Sequence, residues 1–318
     1  EQVAGFELLQ RELDWAAEMA RLLARVRGLE EESDIRHAVA DTRRIARDWA
    51  RGREEAGLLS SSALEAYESR LLQARRDQVD AAERLEVLQT QWHYLAATNR
   101  LPEAPGTSPE PLPSLPPPET LHERVMNRPD VLAAQAAWQR AEYQAEAVVK
   151  ARRPTLSAVA LARGEGPSPV EDPDEWTAWA GLQLAVPRWA PDDKARAGRD
   201  REQVGVEEAL YHDAIRSALQ ELQQAYARCR NGRENWDLAA EEATHLQHLL
   251  DTAQRKFDQG LVMREQLESA RGRWLEARDR ARRARTNLLT HRVDLALAAG
   301  GPEAWSPPPA QTEPPPRD

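Results

Sequence analysis

The chain has 318 residues, a net charge of −10 and 30% charged residues. Such an acidic chain lacks the concentrated basic surface that nucleic acid requires. Its one cysteine, Cys229, excludes an intramolecular disulfide framework and a cysteine-rich zinc site. Aromatics make up 5%, which is thin for a compact core but enough for long helices that bury a narrow seam. No run of about 18 apolar residues occurs, so no transmembrane helix is expected. A transmembrane β-barrel is not excluded, because its strands are short and only half apolar. The chain does not begin with Met, and a processed or truncated start is expected.

Residues 1–55 read as one helix without internal Pro, broken at Gly57-Leu58-Leu59-Ser60. A second helix is expected over 62–97. Residues 101–118 (LPEAPGTSPEPLPSLPPP) are a Pro-rich extended linker. A third helix is expected over 119–152, ending before Arg153-Pro154 because the residue before proline disfavours helix. Two strand-like runs follow, 154–163 and 176–186, framing a β-hairpin over 154–187 with a Gly-, Pro- and acid-rich loop. Helix resumes from about 193 to 259, breaks at Gly260-Leu261, and returns over 263–299. The tail from 300 to 318 is Pro-rich and disordered by composition.

An internal repeat at an offset of 203 residues organises these pieces. Gly57-Leu58 aligns with Gly260-Leu261, Leu64 with Leu267, Arg70 with Arg273, Ala74 with Ala277, Arg75 with Arg278, Ala81 with Ala284, and Leu85 with Leu288. Each repeat is a helix, a Gly-Leu turn and a helix running back. In the second repeat Leu267, Ala270, Trp274, Ala277, Ala281, Ala284 and Leu288 alternate steps of three and four. In the first, Leu64, Tyr67, Leu71, Ala74, Gln78, Ala81, Leu85, Leu88, Trp92 and Leu95 keep the same phase. That 3.5-residue period specifies knobs-into-holes packing. The upstream helices carry matching stripes, Trp15, Met19, Leu22, Val26 and Leu29 against Ala218, Leu222, Ala225, Cys229 and Gly232. The fold class is therefore mainly α: long antiparallel coiled-coil helices in two tandem repeats, with one inserted β-hairpin and both turns at the same end. By repeat, the domains are 1–100, the linker 101–118, the second repeat 119–299 and the tail 300–318.

Three segments carry a family resemblance. The first is Asn127-Arg128-Pro129-Asp130-Val131-Leu132-Ala133-Ala134, opening a helix that leads to Arg152-Arg153-Pro154-Thr155-Leu156-Ser157. The second is Gly181-Leu182-Gln183-Leu184-Ala185-Val186-Pro187, and the third is the duplicated Gly-Leu tip. In order and spacing the chain resembles the TolC-like outer-membrane efflux proteins over roughly residues 1–300. The resemblance implies a homotrimeric α/β-barrel in the outer membrane and periplasm of a Gram-negative-type bacterium. It implies the channel component of a tripartite efflux or type I secretion system, a passive duct fed by an inner-membrane pump, with outer-membrane lipid around its strands. It also implies that the tips Gly57, Leu58, Ser60, Gly260 and Leu261 meet a periplasmic adaptor protein.

The strands fit that role. Trp176, Ala178, Ala180, Leu182, Leu184 and Val186 share one face, and Thr177, Trp179, Gly181, Gln183 and Ala185 the other. Trp176 and Trp189 bracket the run as membrane-interface anchors, about 43 Å apart along a strand or about 33 Å at a tilt near 40°. The family usually has two strand hairpins per protomer, and this chain starts at the first repeat's long helix. Three protomers then give six strands, too few for an open exit. A second reading is therefore a pore-less periplasmic coiled-coil scaffold.

Other chemistry is sparse. Glu242 and His245 have the i, i+3 spacing of di-iron bundles, but the other repeat has no counterpart, and a solvated helix face is the expected reading. Cys229 falls on the seam as a small buried hydrophobe. No nucleophile elbow, phosphate loop or dinucleotide fingerprint occurs, so neither an enzyme nor a cofactor is expected. Acids gather at both turns: Glu54, Glu55, Glu65 and Glu68, then Asp258, Glu265 and Glu268. They read either as helix-surface pairs with Arg51, Arg53, Arg70, Lys256 and Arg264 or as an acidic ring that favours cations.

Overall fold

The computed structural model describes residues 2–98, 115–150, 154–165, 175–186 and 191–301. Its elements are α1 (Gln2–Glu55), α2 (Ser61–Ala96), α3 (Pro118–Val125), α4 (Pro129–Lys150), β1 (Thr155–Glu165), β2 (Glu175–Ala185), α5 (Pro191–Asp258) and α6 (Arg264–Ala298). The chain divides into two compact units, one of Glu1–Phe6 with Asp130–Arg216 and one of Glu7–Pro129 with Ser217–Asp318. The Pro-rich segments 101–114 and 302–318, and Trp189, lie outside the described residues.

In the first unit β1 and β2 pair antiparallel, with Leu156 opposite Leu184, Ala158 opposite Leu182 and Ala160 opposite Ala180. Side chains alternate across a pleated strand, so these six share one face. Leu156, Leu182 and Leu184 are all exposed. The opposite face carries Ser157 with Gln183, Leu161 with Trp179 and Arg163 with Thr177. Trp176 stands opposite Gly164 near the hairpin's loop end. Trp138 of α4 stacks on Tyr211 of α5 with ring centroids 5.6 Å apart.

The second unit is a layer of antiparallel helices. Across α1 and α2, Arg51 meets Glu68 and His37 meets Gln78. Leu22, Val26 and Trp92 form a core flanked by Met19, Leu23, Leu85, Leu88 and Leu95. Across α5 and α6, Arg280 Nη2 lies 2.7 Å from Glu242, and a side chain on Gly232 would meet the His291 ring at 3.1 Å. Across α1 and α6, Arg21 pairs with Asp294 at 2.7 Å and Arg36 with Asp279 at 3.2 Å. The predicted seams of α2 and α6 are buried or half-buried throughout. Helix α6 thus lies between α1 and α5, and the two repeats meet along α1 and α6.

Two expectations need correction. The single helix over 119–152 is two helices, α3 and α4. Close-in hydrogen bonds from Asn127 N to Arg124 O and from Arg128 N to Val125 O finish α3. Pro129 lacks an N–H and disfavours helix at Arg128, so it starts a new helix at its first position. Trp15, placed on the α1 stripe, is 54% exposed. The apolar contact between α1 and α2 is built instead from Leu22, Val26 and Trp92.

The repeat extends to the helix ends. Ala97, the C-cap of α2, has φ 49°. Gly300, 203 residues on, has φ 94°, with bonds from Gly300 N to Leu297 O and from Gly301 N to Ala296 O. Both repeats therefore leave their second helix through the left-handed region.

Candidate functional site: the paired helix tips

Both Gly-Leu turns are Schellman motifs, in which a left-handed residue lets the chain fold back on the last helical carbonyls. At the first, Gly57 N donates to Glu54 O and Leu58 N to Arg53 O, each at 2.8 Å. At the second, Gly260 N donates to Phe257 O at 2.9 Å and Leu261 N to Lys256 O at 2.8 Å. Their φ values are +70° and +73°, a region costly for residues with a Cβ. The helix starts that follow also match, Ser60 at φ −77°, ψ 150° and Met263 at φ −77°, ψ 157°. The Ser60 hydroxyl accepts from Ala63 N at 3.3 Å, whereas Met263 offers no side-chain cap. Leu58 and Leu261 stand 65% and 69% exposed.

The two tips are neighbours. Tyr67 of α2 lies within the field of Glu265 and Glu268 of α6, and burial together with those carboxylates pushes its phenol upward. Tyr67 also packs edge-on to Trp49 at 6.3 Å. The acidic residues are variously engaged. Glu68 pairs with Arg51 at 3.2 Å and Glu268 with Arg264 at 3.4 Å. Glu54 accepts from Ser61 at 3.0 Å and Asp258 from Gln254 at 2.9 Å. Glu55, Glu65 and Glu265 are exposed. Arg53 and Arg70 lie over the Trp49 and Tyr67 rings at 5.2 and 5.7 Å, a cation–π placement that the helix-pair reading did not include.

Behind the tips, sequence reading missed a buried charge cluster between the repeats. Arg282 donates to Gly28 O at 3.0 Å, to Glu32 at 2.9 Å and to Asp279 at 2.9 Å. Asp279 also accepts from Arg36 and Arg283. Although burial alone would raise it, these cations hold the Asp279 carboxyl below its ordinary range. The signal was present. Glu268, Gly272, Leu275, Asp279, Arg282 and Thr286 are spaced four, three, four, three, four, a second heptad stripe facing α1. Gly28 allows the close approach there, since a side chain on it would meet Thr286 Oγ1 at 2.5 Å.

The Asn127-Arg128-Pro129-Asp130 segment has a mechanical role. Buried Arg128 donates to Ala298 O at 3.2 Å and to Glu221 at 2.9 Å, placing a cation at the carbonyl end of α6, where the helix dipole is negative. Cys229 is fully buried, and burial pushes its thiol up, away from the reactive thiolate. The carboxylate of Glu242, beside His245, is held by Arg280. Among the described residues no helix is long and apolar enough to cross a membrane.

The family model for outer membrane efflux proteins matches residues 120–301. The chain belongs to that family. It is thereby placed in an outer-membrane transport family of Gram-negative-type cells, reaching into the periplasm. Solved structures resemble it over 94% of its length, including the first repeat. A membrane protein from Pseudomonas aeruginosa is 18% identical with a TM-score of 0.71, and 71% of it is covered. CusC, studied for transmembrane channel formation, is 16% identical with a TM-score of 0.73 and 71% covered. The outer membrane protein VceC from Vibrio cholerae is 15% identical with a TM-score of 0.69 and 73% covered. At these identities the likeness speaks for the fold. No curated protein sequence matches the chain.

Proposed function

We propose that this efflux-family chain is the passive outer-membrane exit duct of a tripartite pump, docking by its paired tips to a periplasmic adaptor. The observation that carries this is the matched pair of solvent-exposed Gly-Leu turns, built alike and held side by side. Two identical reversals with exposed leucines suit a partner that repeats the same contact twice per protomer. In this reading the inner-membrane pump supplies the energy, the apolar Leu156, Leu182 and Leu184 face meets lipid, and Trp176 and Trp189 lie near the headgroups. The 11-residue strands are of membrane-crossing length. Family membership favours the duct over the pore-less scaffold. Complementation tests it: a host lacking its own channel should regain export with this protein and its cognate adaptor and pump, and continued failure would overturn the duct.

A homotrimer is part of the proposal. Helix α2 carries a second stripe, Leu72, Val79, Val87 and Tyr94, spaced seven, eight and seven and exposed throughout. That period matches a coiled-coil neighbour, here the next protomer. Val79→Asp with Val87→Asp is expected to convert trimer to monomer in native mass spectrometry in detergent. Persistent trimers would remove α2 from the lateral contact.

A further inference from the structure

The seam between α1 and α6 carries opposite charges at several levels, and the levels differ in how completely they are neutralised. Arg21 meets Asp294 at 2.7 Å. Fifteen residues nearer the tips on both helices, Arg36 meets Asp279 at 3.2 Å, and Arg282 adds Glu32 to the same cluster. Eleven residues nearer still, the same register brings Glu268 to the level of Arg47. There the pattern fails. Glu268 is half-buried, with 13% of its side chain exposed, and its Oε1 atom is sealed from solvent. Among the described residues that atom has no hydrogen-bond donor. Arg264 Nε, 3.4 Å away, gives it an ion pair and at most a long, poorly aligned hydrogen bond, whose lowering of the carboxyl is smaller than the rise from burial. Arg47 Nε is likewise sealed and unbonded, 2.8 Å from its neighbour Asp48 without hydrogen-bond geometry.

We propose that Glu268 is a deliberate weak point, an under-neutralised carboxylate that lets the paired tips part while the Arg282–Glu32–Asp279 cluster holds the repeats together behind it. A buried carboxylate with poor partners opposes the closed arrangement, because separation returns it to water. Asp279, on the same stripe of α6, has the opposite character: three arginines satisfy it. The groups acting on Glu268 are Arg264 and Glu265 of α6 and Arg43 of α1, and Glu268 in turn acts on Tyr67 of α2. Burial outweighs the two arginines and raises the Glu268 carboxyl, whereas Asp279 is lowered. Both acids thus lie on one seam with opposite effects on its closure. This inference concerns the two helical hairpins only and does not depend on the duct reading.

A carboxyl raised in the closed state favours closure when protonated. Closure therefore tightens as pH falls from neutral toward the ordinary carboxylate value and loosens as pH rises again. The test is hydrogen–deuterium exchange of the full chain in detergent, following amides of residues 40–55 and 264–275 and correcting for intrinsic rates. Glu268→Gln, nearly isosteric, should slow exchange of both segments several-fold at pH 7. It should also remove the gain in protection that the unmodified chain shows on going to pH 5.5. Asp279→Asn should do the reverse and speed exchange along α6. Unchanged or faster tip exchange in Glu268→Gln would overturn the proposal, since Glu268 would then be a paired stabiliser like Asp279.

Discussion

Arg282→Ala is expected to lower stability by about 3 kcal/mol, because it removes the most deeply buried cation shared by Glu32 and Asp279 and leaves them the more exposed Arg36. Each of those carboxylates is under a tenth exposed, and Arg282 reaches both of them and the Gly28 carbonyl, while Arg36 bridges the two carboxylates at 3.5 and 3.2 Å. The figure is at the low end for a broken buried pair because Arg36 and Arg283 still reach the two carboxylates. Thermal melts by circular dichroism at pH 7 would read it directly. A loss under about 1 kcal/mol would mean that the cluster is hydrated in solution. Exchanging all three charged groups for apolar residues of similar volume should recover most of the loss, as for other buried ion clusters. The pH dependence has a fixed sign. The Asp279 carboxyl is depressed in the folded chain, so its contribution is complete above the ordinary aspartate value and is lost as pH falls through the lower, folded value. Acid unfolding of the native chain should therefore be steeper than that of Asp279→Asn.

That cluster also marks where sequence reading stopped. The rods, their turns and the seams came from spacing alone, since a 3.5-residue period and a glycine between two such runs admit few structures. Helix α6 carries two such stripes. The apolar one, through Ala277 and Leu288, stands out by composition. The other, through Asp279 and Arg282, is charged and reads as a solvated face until α1 is seen covering it. Burial of charge depends on partners 250 residues away in sequence, Glu32 for Arg282, and no local pattern encodes that. The break between α3 and α4 was legible, since Arg128-Pro129 obeys the same pre-proline restriction that was applied at Arg153-Pro154. At the tips, the turn positions were visible in the Gly-Leu pairs. The choice of Arg53 and Arg70 for aromatic faces rather than carboxylates was not, because it rests on where Trp49 and Tyr67 project.

The second large effect is expected at the tips. In Gly57→Val with Gly260→Val, a Cβ at either position meets nothing within 4 Å, so no clash contributes. The whole penalty is torsional: φ values of +70° and +73° are hard for a β-branched residue, at about 1–3 kcal/mol per site. Each site has a local way to relieve it, by giving up the two Schellman hydrogen bonds and unwinding the last helical turn. The rest of each long coiled coil need not respond, so the melting temperature should change little. The exposed leucines would be displaced, however, and with them the contact assigned to the adaptor. Export should therefore fall to the level of a channel-deficient host while the protein stays folded. Gly272→Ala serves as the control. It lies inside α6 with open space around a new Cβ, so alanine should stabilise by about 0.5–1 kcal/mol without affecting export. Full export in the double valine variant would separate tip geometry from function and leave adaptor docking to another surface.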